Sequence, residues 1–219
     1  VRFLAQSTFG ATTSEIDRLK RLGYSDWIEQ QFLIPRTSHL DFVLAVYPLP
    51  TPEGVTVTID PLYQTFWKQA VSAPDPLRQR VTYALSQIFV TSAADAALQT
   101  APHTLASYLD TLSKHAFGSY RELLEDVSKH PAMGQYLTWL ANRGDGGRVP
   151  DENYAREVMQ LFSIGLVQLN TDGSPKLVNG ERVRWDLDND AANELCLQLR
   201  DLGSEHNLAI VLVHHTNKG

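Results

Sequence analysis

The polar residues best placed to do chemistry lie on a predicted helix that begins at Pro150. Asn153 and Glu157 are four residues apart, which places them on one helix face about 40° apart around the axis, and Arg156 lies beside them. An amide, a carboxylate and a guanidinium could bind a polar ligand, or Glu157 could act as a general base. The structural alternative is an ordinary surface pair between Glu152 and Arg156, and such structural contacts predominate in proteins.

Two histidines fall near the predicted C-termini of helices. His130 joins Glu157, Asn153 and Arg156 as a candidate catalytic residue, since imidazole exchanges protons near neutral pH. Favourable contacts with the last helix carbonyls also explain His130 and His115 without any catalytic role. Neither histidine belongs to a metal-binding pattern such as H-E-x-x-H, so the sequence predicts no metal site.

A third group of candidates follows the apolar run Leu208–Val213, which predicts a buried strand. His214 and His215 at its end could contact a phosphate group, but adjacent strand residues point to opposite faces and do not easily share a metal. The chain contains no G-x-x-x-x-G-K-[ST] loop to cradle phosphates, so no cofactor is predicted. Its single cysteine, Cys196, excludes an intrachain disulfide.

The composition limits the classes of protein to consider. Of 219 residues, 43% are hydrophobic and 20% charged, which is typical of a globular chain. A net charge of -6 argues against general nucleic-acid binding by the helical part. No apolar stretch reaches the roughly 18–20 residues that a membrane span requires. No signal peptide is visible before the first helical motif.

Start and stop signals divide most of the chain into helices. Thr12 with Glu15, and Ser119 with Glu122, have the spacing of capping boxes, and Asp75 precedes a proline at the first helical position. The helix after Asp75 shows a wide apolar stripe, which indicates a central helix. The apolar residues of that stripe are Leu77, Val81, Ala84, Leu85, Ile88 and Phe89.

Three further local expectations concern aromatic residues, strands and turns. Trp27, Trp67 and Trp139 fall on apolar stripes and are expected in the core. The alternation of valine, isoleucine and threonine over residues 55–59 predicts a short strand. Asn179-Gly180 between two extended segments predicts a tight hairpin.

The fold class that follows is mainly α. We expect an irregular multi-helix bundle of about eight or nine helices with a short β-hairpin over residues 1–183. Residues 184–219 are expected to form an incomplete α/β tail, in which one helix leads into one strand.

Several short motifs follow one another in order through the helical part. They are Arg2-Phe-Leu-Ala-Gln-Ser-Thr-Phe-Gly10, Leu22-Gly-Tyr24, Pro76-Leu-Arg-Gln-Arg80, His115-Ala-Phe-Gly118, His130-Pro-Ala-Met133 and Pro150-Asp-Glu-Asn-Tyr-Ala-Arg-Glu157. Together these resemble a bacterial family catalogued as domain of unknown function 1800. The resemblance implies a helical protein that is commonly exported and longer than this chain. Where many members carry Trp-His-Asn-His-Phe, this chain has Leu85-Ser-Gln-Ile-Phe89.

The tail resembles a different protein. Asp188-Asn-Asp190, the following helix and the run Ala209 to Gly219 are similar to the late part of a RecA-like P-loop ATPase of the plasmid-replication helicase type. The resemblance implies a phosphate-sensing place for His214 or His215. Two resemblances that meet near Arg184 favour a truncated or chimeric chain, and a cytoplasmic rather than an exported protein if the tail is genuine.

Three functions follow as hypotheses. The first is an uncharacterised helical domain of an exported bacterial protein that acts through contacts with an unknown protein partner. The second is a hydrolase-type enzyme built on Glu157, Asn153 and Arg156. The third is a remnant of a nucleotide-dependent ATPase of DNA metabolism. Whether the protein is an enzyme stays open at this point.

Overall fold

Nine α-helices and one two-stranded hairpin form the regular structure of residues 1–140 and 153–184, the parts of the chain that the computed structural model describes. The helices are α1 (Arg2–Ser7), α2 (Thr13–Leu33), α3 (His39–Val46), α4 (Asp60–Ser72), α5 (Pro76–Ser86), α6 (Pro102–Lys114), α7 (Tyr120–Lys129), α8 (Pro131–Tyr136) and α9 (Asn153–Met159). The strands are β1 (Leu177–Val178) and β2 (Glu181–Arg182). The predicted mainly α class is confirmed.

The chain divides into two compact units, Val1–Ala132 and Met133–Gly219. In the first unit, α6 packs against α3, α4, α5 and α7, while α5 also contacts α1 and α2. Its core contains fully buried Trp27, Phe89 and Tyr108 together with leucines from several helices. No described helix has both the length and the apolar character that crossing a bilayer would demand.

The N-terminal helices follow their sequence signals closely. The Thr12 side chain accepts the N–H of Glu15, as the capping box predicts. The Glu15 carboxylate accepts the indole N–H of Trp27 at 3.0 Å and thereby connects the first turn of α2 to its second half. The backbone leaves the helical region at Gly23, with a φ of 80° that glycine adopts without strain, so α2 is kinked at this residue.

A buried carboxylate from α6 holds the start of α3, a helix that the sequence analysis did not predict. Asp110 Oδ1 accepts the N–H of His39 at 2.7 Å, and its Oδ2 accepts the N–H of Leu40 at 3.2 Å and the Ser38 hydroxyl at 2.5 Å. Arg36 donates to the backbone carbonyl of Asp110 at 2.7 Å. These bonds satisfy amides that a helix N-terminus leaves unpaired, so α6 fixes the place of α3.

The two most buried residues of α5, Gln79 and Thr82, are polar, although the sequence predicted an apolar stripe. Helix α5 packs centrally, as predicted. Of the predicted stripe, Phe89 just after the helix is fully buried and Leu77 is half-buried, whereas Ala84 and Ile88 are exposed. Asp75 precedes the helix without capping it, because its carboxylate accepts the N–H and hydroxyl of Thr37. Partners on other helices therefore determine which face is buried, and they override the apolar pattern.

Three other local predictions need correction. Residues 55–59 form no strand, since the described backbone offers them no paired neighbour. Ser119 is the N-cap of α7 by position, but its side chain makes no capping hydrogen bond. Trp67 is 65% exposed rather than in the core, while Trp27 and Trp139 are buried as predicted.

The second unit contains a small aromatic cluster and the hairpin. Trp139 packs so closely on Gly134 that a Cβ there would lie 3.1 Å from the indole ring. Tyr154 lies 5.7 Å from the Trp139 ring and 6.4 Å from that of Phe162. The hairpin pairs β1 with β2 around Asn179-Gly180, and positive φ angles at both turn residues confirm the predicted tight turn. A π-helical turn (Gln160–Ile164) follows α9.

Replacing Asp110 with asparagine is expected to destabilise the protein by about 2–3 kcal/mol, because an amide cannot accept all the bonds that the buried carboxylate accepts. Urea unfolding of the full chain measures the loss. The control is Asp41→Asn, which makes the same change at an exposed position in the first turn of α3 and should cost less than about 1 kcal/mol. Equal losses in the two variants would contradict the role given to Asp110.

Candidate functional site

The first unit contains a cavity of about 500 Å³ lined by residues of α4, α5 and α6, by Phe9, His39 and the segment after α5. Its volume lies within the range of small-molecule sites. Apolar and aromatic side chains form most of the wall, as is usual in such sites. The lining residues include Phe9, His39, Leu62, Tyr63, Phe66, Trp67, Ala70, Gln79, Thr82, Tyr83, Ser86, Leu105 and Leu109.

A chain of hydrogen bonds runs beneath the cavity from α5 to α4. The Gln79 amide donates to Asp75 at 3.2 Å, which turns its carbonyl oxygen towards Nε2 of His39, 3.2 Å away. Nε2 of His39 therefore carries the proton, and the Thr65 hydroxyl donates to Nδ1 across 3.3 Å. All four side chains are buried, so each polar group needs the partner that it has.

The electrostatics of this chain keep His39 neutral. Burial lowers the pKa of His39 below its ordinary value of 6.5, against the opposing effects of Asp110, the Gln79 hydrogen bond and Asp75. Both ring nitrogens are already engaged with Thr65 and Gln79. The imidazole is thus a fixed, uncharged part of the cavity floor rather than a base with a lone pair available to a substrate.

The outer part of the cavity is aromatic and partly open to solvent. Phe66 is within 6.0 Å, ring to ring, of Phe9, Trp67 and Tyr83. Trp67 is 65% exposed and Tyr63, one helical turn earlier on α4, is 51% exposed. Large exposed rings next to a cavity offer faces on which a ring of a ligand can stack.

Helix α9 carries the cluster that the sequence analysis selected. Asn153 and Arg156 are exposed and Glu157 is half-buried on this seven-residue helix in the second unit. His130 lies in the first unit, so the four catalytic candidates belong to two different units. Neither a general-base role for Glu157 nor ligand binding by this cluster is tested by these positions, and both stay predictions.

His130 connects two helices through both of its ring nitrogens. Nδ1 accepts the N–H of Ala132 at 3.1 Å, so Nε2 carries the proton and donates to Ser107 at 3.1 Å. The Tyr108 ring packs edge-on at 5.1 Å. Burial lowers the pKa of His130 to about 4, and the Asp126 charge opposes this only partly. These contacts explain His130 as a neutral link between α6 and the first turn of α8.

The other candidate groups are placed as follows. His115 lies 2.7 Å from the Asp126 carboxylate, which also accepts from Lys114 at 2.7 Å. Burial alone would raise the pKa of Asp126, but these two hydrogen bonds lower it. No group of three potential metal ligands occurs in the parts of the chain that are described. His214 and His215 lie outside the described residues, as does Glu152.

The sequence analysis missed the residues that line and support the cavity. Two signals could have found them. Ser38 and Asp41 have the S-x-x-D spacing of a helix start, and the Ser38 hydroxyl does accept the N–H of Asp41. Asp75, Gln79 and Thr82 recur at helical spacing, which marks a polar face as clearly as leucines mark an apolar one.

Comparison with known proteins gives one match. A family described as "Protein of unknown function (DUF1800)" matches residues 2–182, most of the chain. No curated protein and no solved structure matches the chain at a significant level. The match ends before residues 185–219, so the ATPase-like interpretation of the tail and the junction near Arg184 stay predictions.

The neutral histidines make stability depend on pH. Because His130 and His39 have folded pKa values below 6.5, the unfolded chain binds protons below that pH that the folded chain does not. The stability linked to these groups is fully present above about pH 6.5 and is lost as pH falls towards 4. His130 alone should lower the free energy of unfolding by about 2 kcal/mol between pH 7 and pH 5.

Urea unfolding of the full chain at these two pH values, compared between wild type and His130→Gln, measures this effect. The variant loses the contacts of His130 at both pH values. The change in its free energy of unfolding between pH 7 and pH 5, compared with that of the wild type, therefore isolates the effect of protonating His130. A pH-dependent loss in the variant as large as in the wild type would show that His130 does not contribute.

Proposed function

This chain belongs to the family described as protein of unknown function (DUF1800), and we propose that its first unit is a binding domain for a small molecule held in the cavity between α4, α5 and α6. The observation that carries the proposal is the combination of this cavity with the polar stripe of α5. Helix α5 buries the polar residues Gln79 and Thr82 more fully than the half-buried Leu77 of its apolar face. Polar residues placed among apolar walls are the usual composition of a ligand site.

The contacts of the cavity support binding rather than a reaction. A catalytic base needs a lone pair within reach of the substrate, and both nitrogens of His39 are occupied by Thr65 and Gln79. The Thr82 hydroxyl donates to the Arg78 carbonyl at 2.8 Å and has no base among its hydrogen-bond partners to activate it as a nucleophile. A hydrolase function built on Glu157 stays an alternative that belongs to the second unit.

Action through a protein partner is the second candidate, and one observation favours it. Tyr63, Trp67 and Val71 are spaced four residues apart along α4 and are 51%, 65% and 84% exposed. Large apolar side chains in one exposed row are typical of contact surfaces. Val71 does not line the cavity. The variant Val71→Asp should therefore weaken a contact between α4 and a protein partner, which chemical crosslinking measures. It should leave small-molecule binding in the cavity intact.

Export of the protein is proposed only on the family resemblance, because many family members are exported. Fractionation of cells that produce the complete natural protein, followed by immunodetection, would test it, and a purely cytoplasmic signal would contradict it.

The binding proposal is tested with N-phenyl-1-naphthylamine, a neutral aromatic amine whose fluorescence rises in apolar surroundings. We expect saturable binding to the full chain with a dissociation constant below about 100 μM, equivalent to a binding free energy of about 5.5 kcal/mol. Ala70→Phe places a ring inside the cavity and should abolish the signal.

The matched control is Ala84→Phe, which makes the same change at an exposed position of α5 that does not line the cavity. This variant should bind like the wild type. The proposal is wrong if the wild type shows no saturable binding, or if Ala70→Phe binds as well as Ala84→Phe.

A further inference from the structure

The charge of the cavity wall restricts what can enter it. Among the described residues, no Asp, Glu, Lys or Arg lines the cavity. Its histidine, His39, is neutral and fully bonded. Arg80 lies behind the wall, 5.3 Å from the Phe9 ring and 5.5 Å from the Tyr83 ring, and donates to the Gln6 carbonyl. A charged ligand would lose its hydration in this cavity without gaining an opposite charge.

Two hydroxyls of the cavity wall, those of Thr82 and Ser86 on α5, offer hydrogen-bond acceptors. The Thr82 hydroxyl proton is used by the Arg78 carbonyl at 2.8 Å, and that of Ser86 by the Tyr83 carbonyl at 2.7 Å. A hydroxyl whose proton is used inside its own helix keeps its lone pairs for an incoming donor. The Ser86 oxygen accepts one bond from Gln87 at 3.3 Å and has one lone pair left. These groups select for an O–H or N–H on the ligand.

The distribution of polarity also limits the shape of the ligand. Leu62, Leu105 and Leu109 lie among the apolar lining residues, whereas Thr82 and Ser86 belong to α5. A free sugar carries hydroxyls around its whole ring and would leave several of them unpaired against the leucines. A flat aromatic ring with a donor at one edge satisfies both sides, and its faces can stack on rings such as Trp67.

We propose that the cavity takes an uncharged aromatic molecule with a hydroxyl or amine donor at one edge, and that Thr82 is the residue that selects for this donor. This inference rests on the proposed binding function and specifies its ligand class. Thr82 is suited to the role because it is 3% exposed, lines the cavity and has a fixed proton.

Three naphthalene derivatives test separately the need for a donor and the need for a neutral ligand. The affinity of each is measured by its displacement of N-phenyl-1-naphthylamine from the full chain. We expect 2-naphthol, a neutral donor, to bind most tightly. The neutral 2-methoxynaphthalene lacks the donor and should bind about tenfold more weakly, the factor that corresponds to about 1.4 kcal/mol for one hydrogen bond. The anion 2-naphthoate should bind at least about a hundredfold more weakly because no lining residue offers an opposite charge.

Two variants assign the preference to its residue. Thr82→Val keeps the shape of the side chain and removes its acceptor, so most of the preference for 2-naphthol over 2-methoxynaphthalene should then be lost. Ser86→Ala changes a less buried position and should reduce the preference for 2-naphthol over 2-methoxynaphthalene to a smaller extent. This variant still tests the role of α5 if Thr82→Val fails to fold.

The outcomes distinguish this inference from the function on which it rests. If N-phenyl-1-naphthylamine does not bind and none of the three compounds binds directly by calorimetry, the binding function itself is wrong. If the compounds bind but 2-naphthoate is as tight as 2-naphthol, or the methoxy compound equals 2-naphthol in the wild type, the ligand class is wrong. A preference for 2-naphthol that persists unchanged in both variants would overturn the assignment to α5.

Discussion

The carboxylate of Asp110 holds the N-terminus of α3 on α6, and the candidate site depends on this contact. It accepts two backbone N–H groups and the Ser38 hydroxyl, all from residues about seventy positions earlier in the chain. Unpaired amides at a buried helix start are costly, so the helix is held where the acceptor lies. His39 is the first residue of α3, and its place under the cavity follows directly from this cap.

The interior of the first unit is consequently more polar than its helical architecture requires. Asp75, Gln79, His39 and Thr65 form a continuous chain of hydrogen bonds beneath a largely apolar cavity. Burying such groups is unfavourable unless every one of them has a partner, and replacing the whole set with packed apolar residues would cost little stability. The chain connects α3, α4 and α5 beneath the cavity, and these polar groups beside apolar walls are the physical basis of the binding proposal.

The sequence was informative where a local signal determines a local structure. Asn179-Gly180 predicted the hairpin because that dipeptide tolerates the positive φ angles of the turn, and the Thr12 cap predicted the start of α2. Predictions from the sequence were wrong where residues distant in the chain determine which side chains are buried. The polar face of α5 is buried because Thr37 and His39 meet it there, and periodicity alone does not reveal such partners. Trp67 was assigned to the core for the same reason, although its ring borders a cavity.

The polar cluster of α9 also shows that spacing along the sequence does not reveal tertiary partners. Its spacing correctly placed Asn153 and Glu157 on one helix, yet spacing does not supply the cavity or the partners that make a cluster a site. The cavity residues come from α3, α4, α5 and α6, and this convergence arises only from tertiary packing.

A crystal structure of the full chain soaked with 2-naphthol tests the central claim most directly. The account predicts density for the ring inside the cavity next to Trp67, with its hydroxyl within about 3 Å of the Thr82 oxygen. An empty cavity in crystals that hold the compound elsewhere, or a ring bound with its hydroxyl directed to solvent, would contradict it.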